Sequence, residues 1–226
     1  MKLAVLFSGG KDSFLAYLKA KEKNEVACLI SIVSKNEESY MFHTPNIHLV
    51  DLNAQALEVP IIKVKTTGEK EKELADLKKA IKSAIKKYRI EGIVSGAIAS
   101  TYQASRLQKI CNDLDIWCFN PLWQRDQVSI LNEIISKKIK VIIAGVFAYP
   151  LDETFLGKEL DNDMIAKLIK LSEEYKINPA GEGGEIETLV LDSPLHKKRL
   201  EIKRAEKEYK NHAGIYKIID AELARK

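Results

Sequence analysis

Cysteine is scarce in this 226-residue chain, and the few present do not pair. Cys28, Cys111 and Cys118 show no Cys-x-x-Cys spacing and lie among apolar residues. That excludes a disulfide framework and a paired-thiol metal or persulfide site, and predicts reduced core thiols in a cytoplasmic protein. Long apolar runs are missing as well. None approaches the ~20 residues of a membrane span, so no membrane association is expected. Met1-Lys2 leads straight into an apolar strand, without the pattern of a cleavable leader. An excess of one charge is also lacking: 36 Lys plus Arg face 32 Asp plus Glu, for a net charge of +4. Such a mixed, mildly basic surface predicts no direct nucleic-acid binding. Internal repeats and low-complexity stretches are absent too.

What remains is a chain long enough to bury a full core. Apolar runs at residues 3–7, 25–34, 61–64, 92–95 and 116–119 alternate with helical patterns. In residues 71–88, Leu74, Leu77, Ile81, Ile85 and Tyr88 recur at three- and four-residue spacing, which predicts an amphipathic helix with a lysine-rich outer face. Thr44-Pro45 reads as an N-cap and first helical position leading into a helix over residues 46–57. A further helix is predicted over 102–114. Alternation of this kind predicts right-handed βαβ units and a parallel sheet, with ligands at the carboxyl ends of the strands. After residue 122 the pattern loosens: helices over 127–136 and 161–175, a strand over 140–146, then three antiparallel strands. The expected architecture is α/β, a five-stranded parallel Rossmann-like sheet (1–122) followed by a smaller α+β module (123–226).

Chemistry concentrates first at Ser8-Gly9-Gly10-Lys11-Asp12-Ser13, between the first strand and an apolar helix start. A helix N-terminus offers unpaired N–H groups and the positive end of its dipole, which suits a phosphate. Gly9 and Gly10 let backbone approach a ligand closely. The Ser8 and Ser13 hydroxyls can donate to phosphate oxygens, and Lys11 adds a positive charge. Asp12 would repel a phosphate unless Mg2+ lay between them, so it is the metal-side residue. The Walker spacing is not met. A second concentration is Gly181-Glu182-Gly183-Gly184-Glu185-Ile186-Glu187. It reads either as a site for a cation (Mg2+, a substrate ammonium or ammonium itself) or as a solvated surface turn.

The first loop resembles the SGGKDS pyrophosphate loop of the ATP-pyrophosphatase (PP-loop) superfamily, whose members split ATP into AMP and pyrophosphate to activate a carbonyl or carboxylate. Glu182 to Thr188, continued through Leu195, resembles the second signature of the diphthine–ammonia ligase (diphthamide synthase) family. The resemblance takes in residues 41–46, 96–103, Arg106 and 121–123. Two positions depart from the family pattern: Ile186 stands where an aromatic residue is usual, and His196 where one is common.

The resemblance implies an adenine nucleotide alpha hydrolase-like fold and an ATP-dependent carbon–nitrogen ligase. Its substrate would be diphthine, a modified histidine of translation elongation factor 2 bearing a carboxylate and a trimethylammonium group. The carboxylate is adenylated and attacked by ammonia, with release of AMP and pyrophosphate. Extra C-terminal modules common in eukaryotic members are not present, which implies an archaeal-type enzyme. Within that reading Ser8, Gly9, Gly10, Lys11, Asp12 and Ser13 hold the phosphates, with Asp12 on Mg2+. Backbone at Ser31, Ile32, Val33 and Ser34 binds adenine, and Gly96 passes close to the ribose or α-phosphate. His43, at the exit of the second strand, belongs to the nucleotide side. Arg106 either reaches a phosphate or forms an intrahelical ion pair. Glu182, Gly183, Gly184, Glu185, Glu187 and Thr188 face the acceptor with Gln103. The three glutamates bind the trimethylammonium or take a proton from attacking ammonium, with Tyr102 and Trp123 as candidate aromatic walls for the quaternary group; at least one glutamate is open to a purely bracing role. Other readings are another PP-loop amide ligase, a tRNA-modifying enzyme or a non-enzymatic nucleotide sensor. The sequence leaves homo-oligomerisation open.

Overall fold

The computed structural model describes residues 1–34, 45–67 and 72–226. β1 (Lys2–Leu6), β2 (Glu25–Ser34), β3 (Ile61–Thr66), β4 (Gly92–Val94) and β5 (Trp117–Phe119) form a wholly parallel sheet in the order β3-β2-β1-β4-β5. β1 is flanked by β2 on one side and β4 on the other, so the winding direction reverses between β1 and β4. That switch point opens a crevice at the carboxyl ends of these two strands.

Helices α1 (Lys11–Lys23) and α2 (Val50–Leu57) pack on one face, and α3 (Lys72–Tyr88) and α4 (Thr101–Asp113) on the other. The period read for α3 is realised: Leu77, Ala80, Ile81 and Ala84 are buried against Ala4, Ile30 and Ile93. α4 starts where Ser100 Oγ accepts from Gln103 N at 3.4 Å, a side-chain cap that satisfies one orphan donor.

The helix expected over residues 46–57 begins later. Asn46 is left-handed (φ 62), which no first helical residue tolerates. A 3-10 turn over Ile47–Leu49 then leads into α2. The Asn46 side chain is used instead to bridge to a distant strand, donating to Tyr216 O at 2.9 Å and accepting from Ile218 N at 2.8 Å. Thr44, the expected N-cap, lies outside the described residues.

After α5 (Gln127–Ser136) come β6 (Lys140–Val146), α6 (Asn162–Tyr175), β7 (Ile186–Asp192), β8 (Arg199–Lys210) and β9 (Ala213–Ala224). The four strands form an antiparallel sheet in the order β7-β6-β9-β8. The β8–β9 hairpin runs further than its sequence pattern indicated, because charged residues on both faces of 204–210 carry no apolar alternation while backbone pairing continues to Lys210↔Ala213. One hydrophobic cluster joins both sheets: Leu3, Val5 and Phe14 share it with Ile130, Val141, Ile143 and Val190. No helix among the described residues is long and apolar enough to cross a membrane.

Candidate active site

The two sequence motifs meet in one wall. Gly9 takes φ +83, a left-handed conformation that a side chain opposes, and the chain turns there from β1 into α1. The turn closes on itself: Ser8 N donates to Ser13 Oγ at 3.3 Å, Gly10 N to Ser8 Oγ at 3.3 Å, and Ser13 Oγ to Gly10 O at 3.0 Å. β7 runs alongside it. Lys11 N donates to Thr188 Oγ1 at 3.1 Å, and Val190 N to Gly9 O at 2.9 Å. From the other side, a Cβ at Gly96 would lie 2.7 Å from Asp12 C and 2.8 Å from Ser13 N, so only glycine lets the β4 loop touch the start of α1.

These walls enclose a cleft of about 620 Å³. Leu6, Ile30, Ile32, Leu77 and Leu107 form its apolar end; Ser8, Gly10, Asp12, Ser13, Ser95 and Gly96 form its polar middle. Residues 181–184, Glu187 and Thr188 bring the acidic loop and β7 to the same lining, and Gln103 and Phe147 also line it.

Lys11 is buried, and its ammonium lies 2.8 and 3.0 Å from the Asp12 oxygens and 2.5 Å from Ala180 O. It therefore ties the first loop to the root of the acidic one. The three glutamates of that loop are not equivalent. Glu185 is turned inward: Oε1 accepts from Asn178 N at 3.0 Å and Nδ2 at 2.7 Å, and Oε2 from Gly183 N at 2.9 Å. Glu182 reaches across the cleft and accepts from Ala99 N and Ser100 N, both at 2.8 Å, at the start of α4. Burial raises its pKa, reinforced by the charge of Asp12 and opposed by those two N–H groups and Lys11. Glu187 is pushed up to about 7 by burial, with the Asp12 charge adding and Lys11 opposing.

Other expected residues fall elsewhere. Of the β2 residues expected at the nucleotide, Ile32 lines the cleft, together with Ile30, and Ser31, Val33 and Ser34 are not among its lining residues. Tyr102 and Arg106 pair with each other on α4, the guanidinium 3.5 Å from the ring centroid. Trp123 sits in the turn after β5, away from the cleft lining. His43 lies outside the described residues. Phe147, at the end of β6, escaped the sequence reading because its only local signal is an aromatic residue following an apolar strand. Position 196 keeps an aromatic function: the buried His196 ring stacks on Phe14 at 5.1 Å and 6°. Its Nε2 bonds Asn53 Oδ1 at 3.1 Å and its Nδ1 bonds Ser193 Oγ at 2.8 Å.

Family models match both halves: the diphthamide synthase N-terminal domain over residues 1–117 and the C-terminal domain over 126–223. The chain belongs to the diphthamide synthase family. Diphthine–ammonia ligase of Mus musculus is 35% identical over 226 residues, covering 91% of this chain and 84% of the relative. The human protein of that name is 35% identical over 229 residues with the same coverage. The ligase of Schizosaccharomyces pombe is 33% identical over 231 residues, but this chain spans only 38% of it.

Proposed function

We propose that this chain is an ATP-dependent ligase that amidates diphthine on translation elongation factor 2. The observation that carries this reading is the union of the phosphate-type loop and the acidic loop in one cleft, joined through Lys11 N–Thr188 Oγ1 and Val190 N–Gly9 O. A carboxylate cannot expel oxide under attack by ammonia; adenylation supplies AMP as the leaving group. The apolar end of the cleft suits adenine, and the N-terminus of α1 with the Ser8 and Ser13 hydroxyls suits the β- and γ-phosphates.

Mg2+ fits at Asp12. Among the described residues no cluster of three or more His, Cys, Asp or Glu side chains is arranged to hold a metal. An ion carried in on phosphate oxygens needs only one or two protein carboxylates. When bound there, it would neutralise charge on the departing pyrophosphate.

Glu187, with its pKa near 7, is suited to take a proton from ammonium. Ammonia then attacks the acyl carbon, AMP departs with the electrons of the broken C–O bond, and the nitrogen's surplus proton passes to solvent. Glu182 holds the acidic loop against α4 at the acceptor end, and Glu185 holds the loop's shape. The test compares diphthine-bearing with unmodified elongation factor 2 in the presence of ATP, Mg2+ and ammonium. AMP and pyrophosphate release that requires diphthine, with the mass loss of a carboxyl hydroxyl replaced by an amino group, is the expected result. ATP binding without factor-dependent turnover overturns the reading.

A further inference from the structure

A quaternary ammonium has no N–H to donate, so beyond apolar contact with its methyl groups a protein attracts it through charge and the negative face of an aromatic ring. Phe7 and Phe147 are the aromatic side chains among the described residues that line the cleft, and Phe7 is 3% exposed, packed into the core. Phe147 is half-buried and stands at the acidic end with Glu182 and Glu187.

Its position is set by backbone. Phe147 N donates to Glu185 O at 2.9 Å, continuing the β6–β7 pairing beyond Val146↔Ile186. Gly145 lies opposite Glu187 in that pairing. The point where a Gly145 Cβ would sit is 2.7 Å from Phe147 Cε2, 2.9 Å from Cζ and 3.3 Å from Glu187 Cβ. The missing side chain therefore makes room for the ring and brings it beside the Glu187 stem. Neither aromatic residue expected to serve here, Tyr102 or Trp123, is among the cleft lining, and the Tyr102 ring lies against Arg106.

We propose that Phe147 is the specificity-determining wall for the trimethylammonium group of the acceptor, with Glu182 and Glu187 supplying the negative potential. This rests on the ligase reading above. The backbone of Phe147 is held by the acidic loop through Glu185 O, which assigns its contribution to the acceptor.

The experiment uses the full chain with Phe147→Leu, which keeps apolar bulk but removes the ring, and Phe147→Trp, which restores a π face. F147L should raise KM for diphthine-bearing elongation factor about tenfold, leave Kd for ATP unchanged, and be rescued by F147W. An unchanged KM in F147L, or a loss that F147W fails to restore, overturns the proposal. Tetramethylammonium titrated into wild type and F147L reads the site without turnover. Binding weakened in F147L supports the aromatic wall even if no protein substrate turns over, which would defeat only the ligase reading. Equal binding in both, or none in wild type, overturns the wall itself.

Discussion

Lys11 N lies 3.1 Å from Thr188 Oγ1, although the two residues are 177 positions apart. Lys11 opens α1, so its N–H is one of the donors a helix cannot satisfy itself. Strand β7 supplies the acceptor. Thr188→Val keeps shape but leaves that buried donor unpaired, at a cost of about 1–3 kcal/mol. We expect a lower Tm and weaker ATP binding, neither of which should appear in Thr188→Ser, measured by thermal unfolding and calorimetric titration.

Gly96→Ala tests the contact between the β4 loop and α1. The added methyl would lie 2.7 Å from Asp12 C and 2.8 Å from Asp12 O, both rigid backbone atoms. Separating the loops should weaken ATP binding about tenfold or more, ~1.4 kcal/mol. An unchanged ATP Kd would show that the loop contact does not shape the nucleotide site.

Glu187 supplies a pH dependence. Its pKa is raised from 4.5 to about 7, chiefly by burial. As a base it must be ionised, so kcat/KM should climb as pH rises through about 7, and Glu187→Gln should lower the rate and remove that limb. Stability runs the other way. The folded carboxyl holds its proton more tightly than the unfolded one, so this group's contribution falls as pH rises from 4.5 through 7. Denaturant melts of wild type and E187Q across that range check the sign.

His196 has the opposite shift. Burial is the main reason its pKa drops to about 4 from 6.5. The unfolded ring takes up a proton first, so stability is fully present above 6.5 and declines as pH falls from 6.5 towards 4. His196→Phe keeps the stack on Phe14 but strips partners from Asn53 and Ser193, costing about 1–3 kcal/mol. It should also flatten the stability profile in that window.

Glu185→Ala removes the acceptor for Asn178 N, Asn178 Nδ2 and Gly183 N together. The acidic loop should lose its shape while the phosphate loop, held by Thr188 and Val190, remains. Turnover with the diphthine-bearing factor should fall with ATP affinity preserved. A parallel loss of ATP affinity would mean that the two loops are not separable.

Residues close in sequence carried much of this molecule in advance. The strand–glycine–helix junction at Ser8–Ser13, the α3 period through Leu77 and Ile81, and the ends of α5 and β6 follow from hydrophobic spacing and helix-start chemistry, which act over a few residues. Asn46 shows where that logic stops: its amide bridges to β9 at Tyr216 and Ile218, so the helix start moves along the chain. Glu185 and Glu187 are two positions apart and read alike in sequence. One closes a loop onto Asn178, at the root of the acidic loop, and the other lines the cleft within the β6–β7 pairing. The meeting of Lys11 with Thr188, and of Phe147 with the Gly145–Glu187 pair, was decided only by tertiary structure. Those contacts depend on sheet register and on space left by an absent side chain, which no local pattern encodes.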